Sequence, residues 1–147
     1  MQLLSRYKND AICYNVYMND SIFTKIIRGE IPSQKIYEDD KTFAFLDIRP
    51  KQPGHTLVIP KAQIGKVYDL DDTNYRALWA SVQKVALHME KVLGRRVATM
   101  IIGVDIPDHA HVNLIPFDGS KDLDLLKEPE EASEEELTAM ADRLRIS

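Results

Sequence analysis

Of the four histidines in this 147-residue chain, three have a spacing that can do chemistry. His109, His111 and Asn113 alternate with Ala110, Val112 and Leu114. Side chains alternate along a strand, so the polar set shares one face while the apolar set points into a core. That backing fixes the orientation of the imidazoles, as catalysis requires. A neutral imidazole, whose ordinary pKa is about 6.5, is a good nucleophile near pH 7. His55 follows Pro53-Gly54 at the start of another apolar run. On residue types alone the pattern also fits a polar sheet face, or a transition-metal site built from His55, His109 and His111. His88 falls with Ser81, Lys84 and Lys91 on the polar side of a helical stripe and reads as a solvated surface residue.

The elements that must hold these groups follow from periodicity and turn chemistry. Asp20 or Ser21 caps a short helix carrying Ile22, Phe23, Ile26 and Ile27, which Gly29 and Pro32 end. Short strands are expected at Lys35–Glu38, Thr42–Asp47 and His55–Ile59, separated by Asp39-Asp40 and by Pro53-Gly54. Asp72–Leu93 carries a stripe of Tyr75, Leu78, Trp79, Val82, Val85, Ala86, Met89, Val92 and Leu93, the mark of a long amphipathic helix closed by Gly94. Val97–Val104 and His109–Ile115 read as two further strands joined by a turn at Asp105–Asp108. A last helix opens at Ser133 with a capping box and carries Leu137, Met140, Ala141 and Leu144. Strands at hairpin spacing around one long helix predict an α+β domain with a five-stranded, mainly antiparallel sheet.

Composition sets the outer bounds. The length suits one domain, read as residues 19–147, with residues 1–18 an appended, weakly structured segment. No apolar run exceeds four residues, so no membrane span is expected. The lone Cys13 makes neither an intramolecular disulfide nor a cysteine-based zinc site, which points to the cytoplasm. Residues 122–136 hold eight carboxylates against Lys127, so the net charge of −4 resides in that stretch, read as a solvated linker. The remainder is slightly positive, too weakly for a nucleic-acid duplex but without repulsion for a small phosphorylated ligand.

The segments Ile22–Pro32, Tyr37–Asp40, Ala44–Ile48 and Pro53–Lys61, in this order and spacing, resemble the histidine triad (HIT) family in its nucleotide-binding protein branch. The resemblance covers residues 20–117. It implies an HIT-like fold, a homodimer, and attack on the α-phosphate of a purine nucleotide or nucleotide conjugate, such as a phosphoramidate. By the same resemblance, His111 is the nucleophile, His109 orients the site and His55 lies beside the phosphate. Asp47 would bind the ribose hydroxyls, and Ile22, Phe23, Ile26, Ile31, Phe45 and Ile48 would line a slot for the base. A nucleotidyl-histidine intermediate divides one hard displacement into two easier ones and requires no metal or other cofactor.

Three positions depart from the family pattern. Asn113 stands where the third histidine is expected; its amide donates hydrogen bonds but does not ionise. The superfamily member galactose-1-phosphate uridylyltransferase has glutamine there and still uses the middle histidine. Asn113 therefore leaves open transfer to an acceptor other than water, or a catalytically weak binding module. Asp108 looks inserted before the triad, and the stretch Gly103–Asp108 lacks the serine or glutamine of many members. Ser21 and Thr24 occupy the places of a zinc-binding Cys-x-x-Cys found in some members, so that metal site is expected to be absent.

Overall fold

The computed structural model describes residues 19–103 and 106–147. The expected front segment 1–18, and Val104 and Asp105 in the expected fourth strand and turn, lie outside the described residues. In chain order the elements are α1 (Ile22–Ile27), β1 (Lys35–Glu38), β2 (Thr42–Leu46), β3 (Thr56–Pro60), α2 (Asp72–Leu93), β4 (Arg96–Met100), β5 (Val112–Phe117) and α3 (Glu134–Leu144). The strands form one sheet in the order β1-β2-β3-β5-β4, and every adjacent pair is antiparallel. The expected α+β class and five-stranded sheet are therefore present.

The period of two along each strand divides the core into two clusters. Ala44, Leu46, Val58, Val112 and Leu114 face one way and pack on Leu78, Val82, Val85 and Met89 of α2 and on Ala141 and Leu144 of α3. Phe43, Phe45, Leu57 and Ile59 face the other way, where Phe23 and Ile26 of α1 cover them. Strands β2 and β3 are buried on both faces, which is why their sequences are nearly continuous apolar runs. The two-turn α1 is too short to hold by propensity alone. Its place depends on those two buried side chains and on Ser21, whose hydroxyl accepts the Thr24 amide.

Several expectations need correction. Strand β4 ends at Met100, and β5 begins at Val112, so His109 and His111 precede the strand instead of lying on it. The ladders run out there. β3 pairs no further than Val58 with Val112, β4 no further than Met100 with Asn113, and the Ala110 amide bonds instead to the Ile64 carbonyl at 2.6 Å. Alternation nevertheless continues through the segment. Ala110 joins the α2-side core while His109 and His111 contact Phe23 on the other face.

The acidic stretch is more than a solvated linker. The Ala132 amide donates to the Ile48 carbonyl at 2.9 Å, and Lys51 Nζ reaches the carbonyls of Asp124 and Lys127. Backbone groups make these contacts, so a charge count does not reveal them. His88 is half-buried, and its Nε2 is enclosed without a hydrogen-bond partner among the described residues, as is Trp79 Nε1. The stripe on α2 extends past the face the sheet covers, leaving Tyr75 exposed, and Leu87, outside the stripe, is exposed as well. The outer edge of β1 is covered by the chain end, where the Ile146 amide bonds the Ile36 carbonyl. The outer edge of β4 has no strand beside it among the described residues, although the Val97 amide donates to Glu90 Oε1 at 3.1 Å.

Candidate functional site

Three short segments bring the site together: the N-cap of α1, the turn into β3, and the approach to β5. Gly54 enables the second. Its φ of 93° is in the left-handed region, and a Cβ there would lie 3.2 Å from Leu93 Cδ1. The next residue, His55, is thereby turned inward and is 3% exposed.

His111 is pinned through one nitrogen. Its Nδ1 lies 2.9 Å from the His109 carbonyl oxygen, an acceptor only, so Nδ1 carries the proton and donates. Nε2 is left with its lone pair and makes no hydrogen bond with a described residue. The same peptide unit is held from its other end, because the Ala110 N–H donates to the Ile64 carbonyl. One peptide plane thus fixes the tautomer that a nucleophilic imidazole needs.

His109 is fully buried, and both its nitrogens are engaged. Nε2 donates to the Pro60 carbonyl at 2.8 Å, leaving Nδ1 to accept from the Ser21 hydroxyl at 2.6 Å. Thr24 Oγ1 and the Ser21 amide both donate to Gln63 Oε1, which ties α1 to the loop after β3. Ser21 and Thr24 thus serve a hydrogen-bond cluster. Burial holds the His109 pKa below the ordinary imidazole value against the raising effect of the Pro60 bond and of Asp108. His109 is therefore neutral near pH 7.

His55 has a comparable arrangement. Nδ1 accepts from the Lys51 amide at 3.2 Å, so Nε2 carries the proton and donates to Asn113 Oδ1 at 3.0 Å. Asn113 Nδ2 donates to the Met100 carbonyl at 3.2 Å. Burial again lowers the pKa, against the Asp47 carboxylate, whose Oδ2 stands 3.7 Å from Nδ1. Asp47 Oδ1 accepts from the Arg49 amide at 2.9 Å.

The structure brings His55, His109, His111 and Asn113 together with Phe23, Ile26 and Phe45; Ile31 packs at the margin of that cluster. Ile22 and Ile48 are the outliers, 45% and 55% exposed and free of the buried cluster. A cleft of about 790 Å³ lies behind Asp47 and His55, walled by Lys51, Lys127, Glu131 and Met140; it does not include His111. Among the described residues no group of three or more His, Cys, Asp or Glu is disposed to hold a metal ion. A three-histidine metal site also conflicts with the hydrogen bonds that occupy both nitrogens of His55 and of His109. Sequence reasoning missed Gln63, Pro60, Ile64 and the Lys51 amide. Only the N-cap pattern at Ser21 offered a signal.

Residues 28–120 match the HIT domain. The chain is 40% identical over 111 residues to an uncharacterised HIT-like protein of Borreliella burgdorferi, spanning 67% of this chain and 76% of that one. It is 36% identical over 100 residues to the adenosine 5′-monophosphoramidase of Schizosaccharomyces pombe, covering 65% of this chain and 72% of that enzyme. A HIT-like protein from Bartonella henselae, crystallised with an unknown ligand, superposes with a TM-score of 0.76 at 34% identity, over 88% of this chain and 97% of that one.

Proposed function

The chain belongs to the HIT domain family, and from that membership and the geometry of its histidines we propose that it is a nucleotidyl hydrolase or transferase acting on purine nucleotide conjugates. The pinned tautomer of His111 carries this reading. With Nδ1 committed to the His109 carbonyl, the Nε2 lone pair is the group available to attack an α-phosphorus. The reaction forms a His111 Nε2–phosphorus bond as the leaving group departs with its electron pair. Water or another acceptor then releases the nucleoside monophosphate. His109 holds the peptide plane, and the Asn113 amide stands beside the reacting phosphate. Asp47 Oδ2 accepts from the ribose hydroxyls, and Phe23, Ile26, Ile31 and Phe45 pack on the base, with Ile22 and Ile48 at its rim. The scheme needs no metal ion or organic cofactor.

The homodimer fits the same reading. The unpaired edge of β4, the exposed Tyr75 and Leu87, and the enclosed but unpartnered Trp79 and His88 nitrogens together suit a second copy of the chain. Among the described residues no helix is long and apolar enough to cross a membrane, and the lone cysteine suits the cytoplasm. One observation favours a second reading, a catalytically weak nucleotide-binding module: Asn113 spends its amide on His55 and Met100.

Intact-mass measurement separates the two. The protein is mixed with the p-nitrophenyl ester of adenosine 5′-monophosphate and quenched in the first turnovers. We expect a mass increase of one adenylyl group that is absent in His111→Ala. Nucleotide binding with neither adduct nor nitrophenol release would refute the enzyme; an adduct that persists in His111→Ala would refute the nucleophile.

A further inference from the structure

Among the described residues, the neighbourhood of His111 contains no group that can hand a proton to a departing leaving group. His109 is fully buried with both nitrogens committed, to Pro60 and Ser21. The Nε2 proton of His55 is held by Asn113 Oδ1, and its Nδ1 is closed by the Lys51 amide. The proton of His111 itself is on Nδ1, turned back toward the His109 carbonyl. The remaining polar side chain, Asn113, is an amide that does not ionise, and its nitrogen is tied to Met100. Asp47 and Asp108 are carboxylates, which accept hydrogen bonds. Ser21 and Thr24 give their hydroxyl protons to His109 and Gln63. Burial keeps His55 and His109 on the neutral side of their titrations, so neither is a reservoir of acid.

This bears on which bond to phosphorus breaks. An amine leaving from a phosphoramidate must be protonated as the P–N bond cleaves, because an amide anion is far too basic to depart. A sulfate, phosphate or carboxylate leaves as a stable anion and needs no proton. We propose that Asn113, by taking the place of an ionisable side chain and by engaging the Nε2 proton of His55, makes this site selective for nucleotide anhydrides whose leaving group departs as a weakly basic anion. The inference rests on the reading of His111 as nucleophile and narrows its substrate class. In the first step the His111 Nε2 lone pair forms the N–P bond, and the P–O bond to the leaving group breaks with its electron pair going to that oxygen. In the second, a water oxygen attacks phosphorus. The N–P pair returns to Nε2, and the proton of the water passes to solvent.

The test is a leaving-group series on the full chain. Aryl esters of adenosine 5′-monophosphate with phenols of graded acidity are compared with adenosine 5′-phosphosulfate and adenosine 5′-phosphoramidate, in the wild type and in Asn113→His. Adduct formation is recorded for each by intact mass. We expect kcat/KM of the wild type to fall steeply with rising phenol pKa, and the phosphosulfate to be cleaved at least about 100-fold faster than the phosphoramidate, the usual worth of a missing general acid. Asn113→His should flatten the series, lowering the ratio of phosphosulfate to phosphoramidate cleavage about tenfold or more. A wild type indifferent to phenol acidity, or one that prefers the phosphoramidate, overturns the proposal while the adduct still upholds the nucleophile. Absence of an adduct with every substrate overturns both. If Asn113→His does not fold, the wild-type series decides alone.

Discussion

Substituting Gly65 by alanine should damage the site from a distance. Gly65 lies outside the positive-φ glycines, so its backbone suits an alanine, and in open space the change would stabilise the fold by about 0.4–1 kcal/mol. The space is not open. A Cβ at residue 65 would stand 2.7 Å from the Pro107 carbonyl oxygen, about 0.7 Å short of the 3.4 Å at which ordinary contact begins. Two backbones meet here, so no side-chain rotation relieves the clash. Either Pro107-Asp108 retreats, dragging His109, or the Ile64–Gly65 strand of loop retreats, dragging the carbonyl that holds Ala110. Both routes tilt the peptide plane that fixes His111. A misplacement of 1 Å costs about 100-fold in rate, so about 0.7 Å corresponds to a loss of about 10- to 30-fold in kcat. KM should change less than kcat, because Asp47 takes no part in this contact. The assay is steady-state release of nitrophenol from the adenylyl ester, run beside thermal unfolding. Gly94→Ala is the control: its φ of 66° imposes about 1–2 kcal/mol of strain, in open space and far from the histidines. It should lower stability and leave kcat alone. Wild-type kcat in Gly65→Ala would refute the reasoning, as would equal losses in both variants.

Three further outcomes follow from the geometry. His55 and His109 both titrate below the ordinary 6.5, chiefly because they are buried, so below that pH the unfolded chain binds more protons than the folded one. Stability should therefore be level above about pH 7 and fall as the pH drops from about 6.5 toward the depressed folded values. Calorimetry showing an equal or higher Tm at pH 5.5 than at 7.5 would contradict this. Asn113→Leu strands the His55 Nε2 proton and the Met100 carbonyl in a site 5% exposed, and urea unfolding should register a loss of about 2–3 kcal/mol; a loss under about 0.5 kcal/mol would show that the pair is not a stabilising one. Ser133→Ala removes the hydroxyl that accepts the Glu136 amide while the residue-133 amide keeps its bond to the Glu136 carboxylate, and should cost about 1 kcal/mol in the same measurement with kcat unaltered.

The elements legible in the sequence were those whose signal is local. The cap at Ser21, the stripe from Leu78 to Met89, the Gly94 stop and the box at Ser133 all depend on residues within a few positions of one another, and all four stand in the structure. The alternation that puts Ala110 in the core and His111 opposite it was equally local. It held even where the ladder had ended, because alternation needs only extended backbone. What escaped were partners far along the chain. Gln63 is 42 residues from Ser21, and Lys51 is 76 from the carbonyl it holds at Lys127. Many of these contacts also go to backbone atoms, such as the carbonyls of Pro60, Met100 and Ile64, which every residue type carries and no composition betrays. Strand ends failed for a related reason: where β4 stops depends on how far its neighbour runs.

The loop from Ile48 to Lys51 is fastened by residues near the end of the chain, through Ala132 and through the carbonyls of Asp124 and Lys127. The same tail adds Ala141 and Leu144 to the core and seals the β1 edge with Ile146. During synthesis all three histidines therefore emerge well before the clasp that steadies the loop beside His55. A nascent chain that has emerged only as far as Phe117 has every histidine of the proposed site and no finished cradle. A premature stop between Phe117 and Asp124 would yield a polypeptide that has these histidines and lacks the whole clasp.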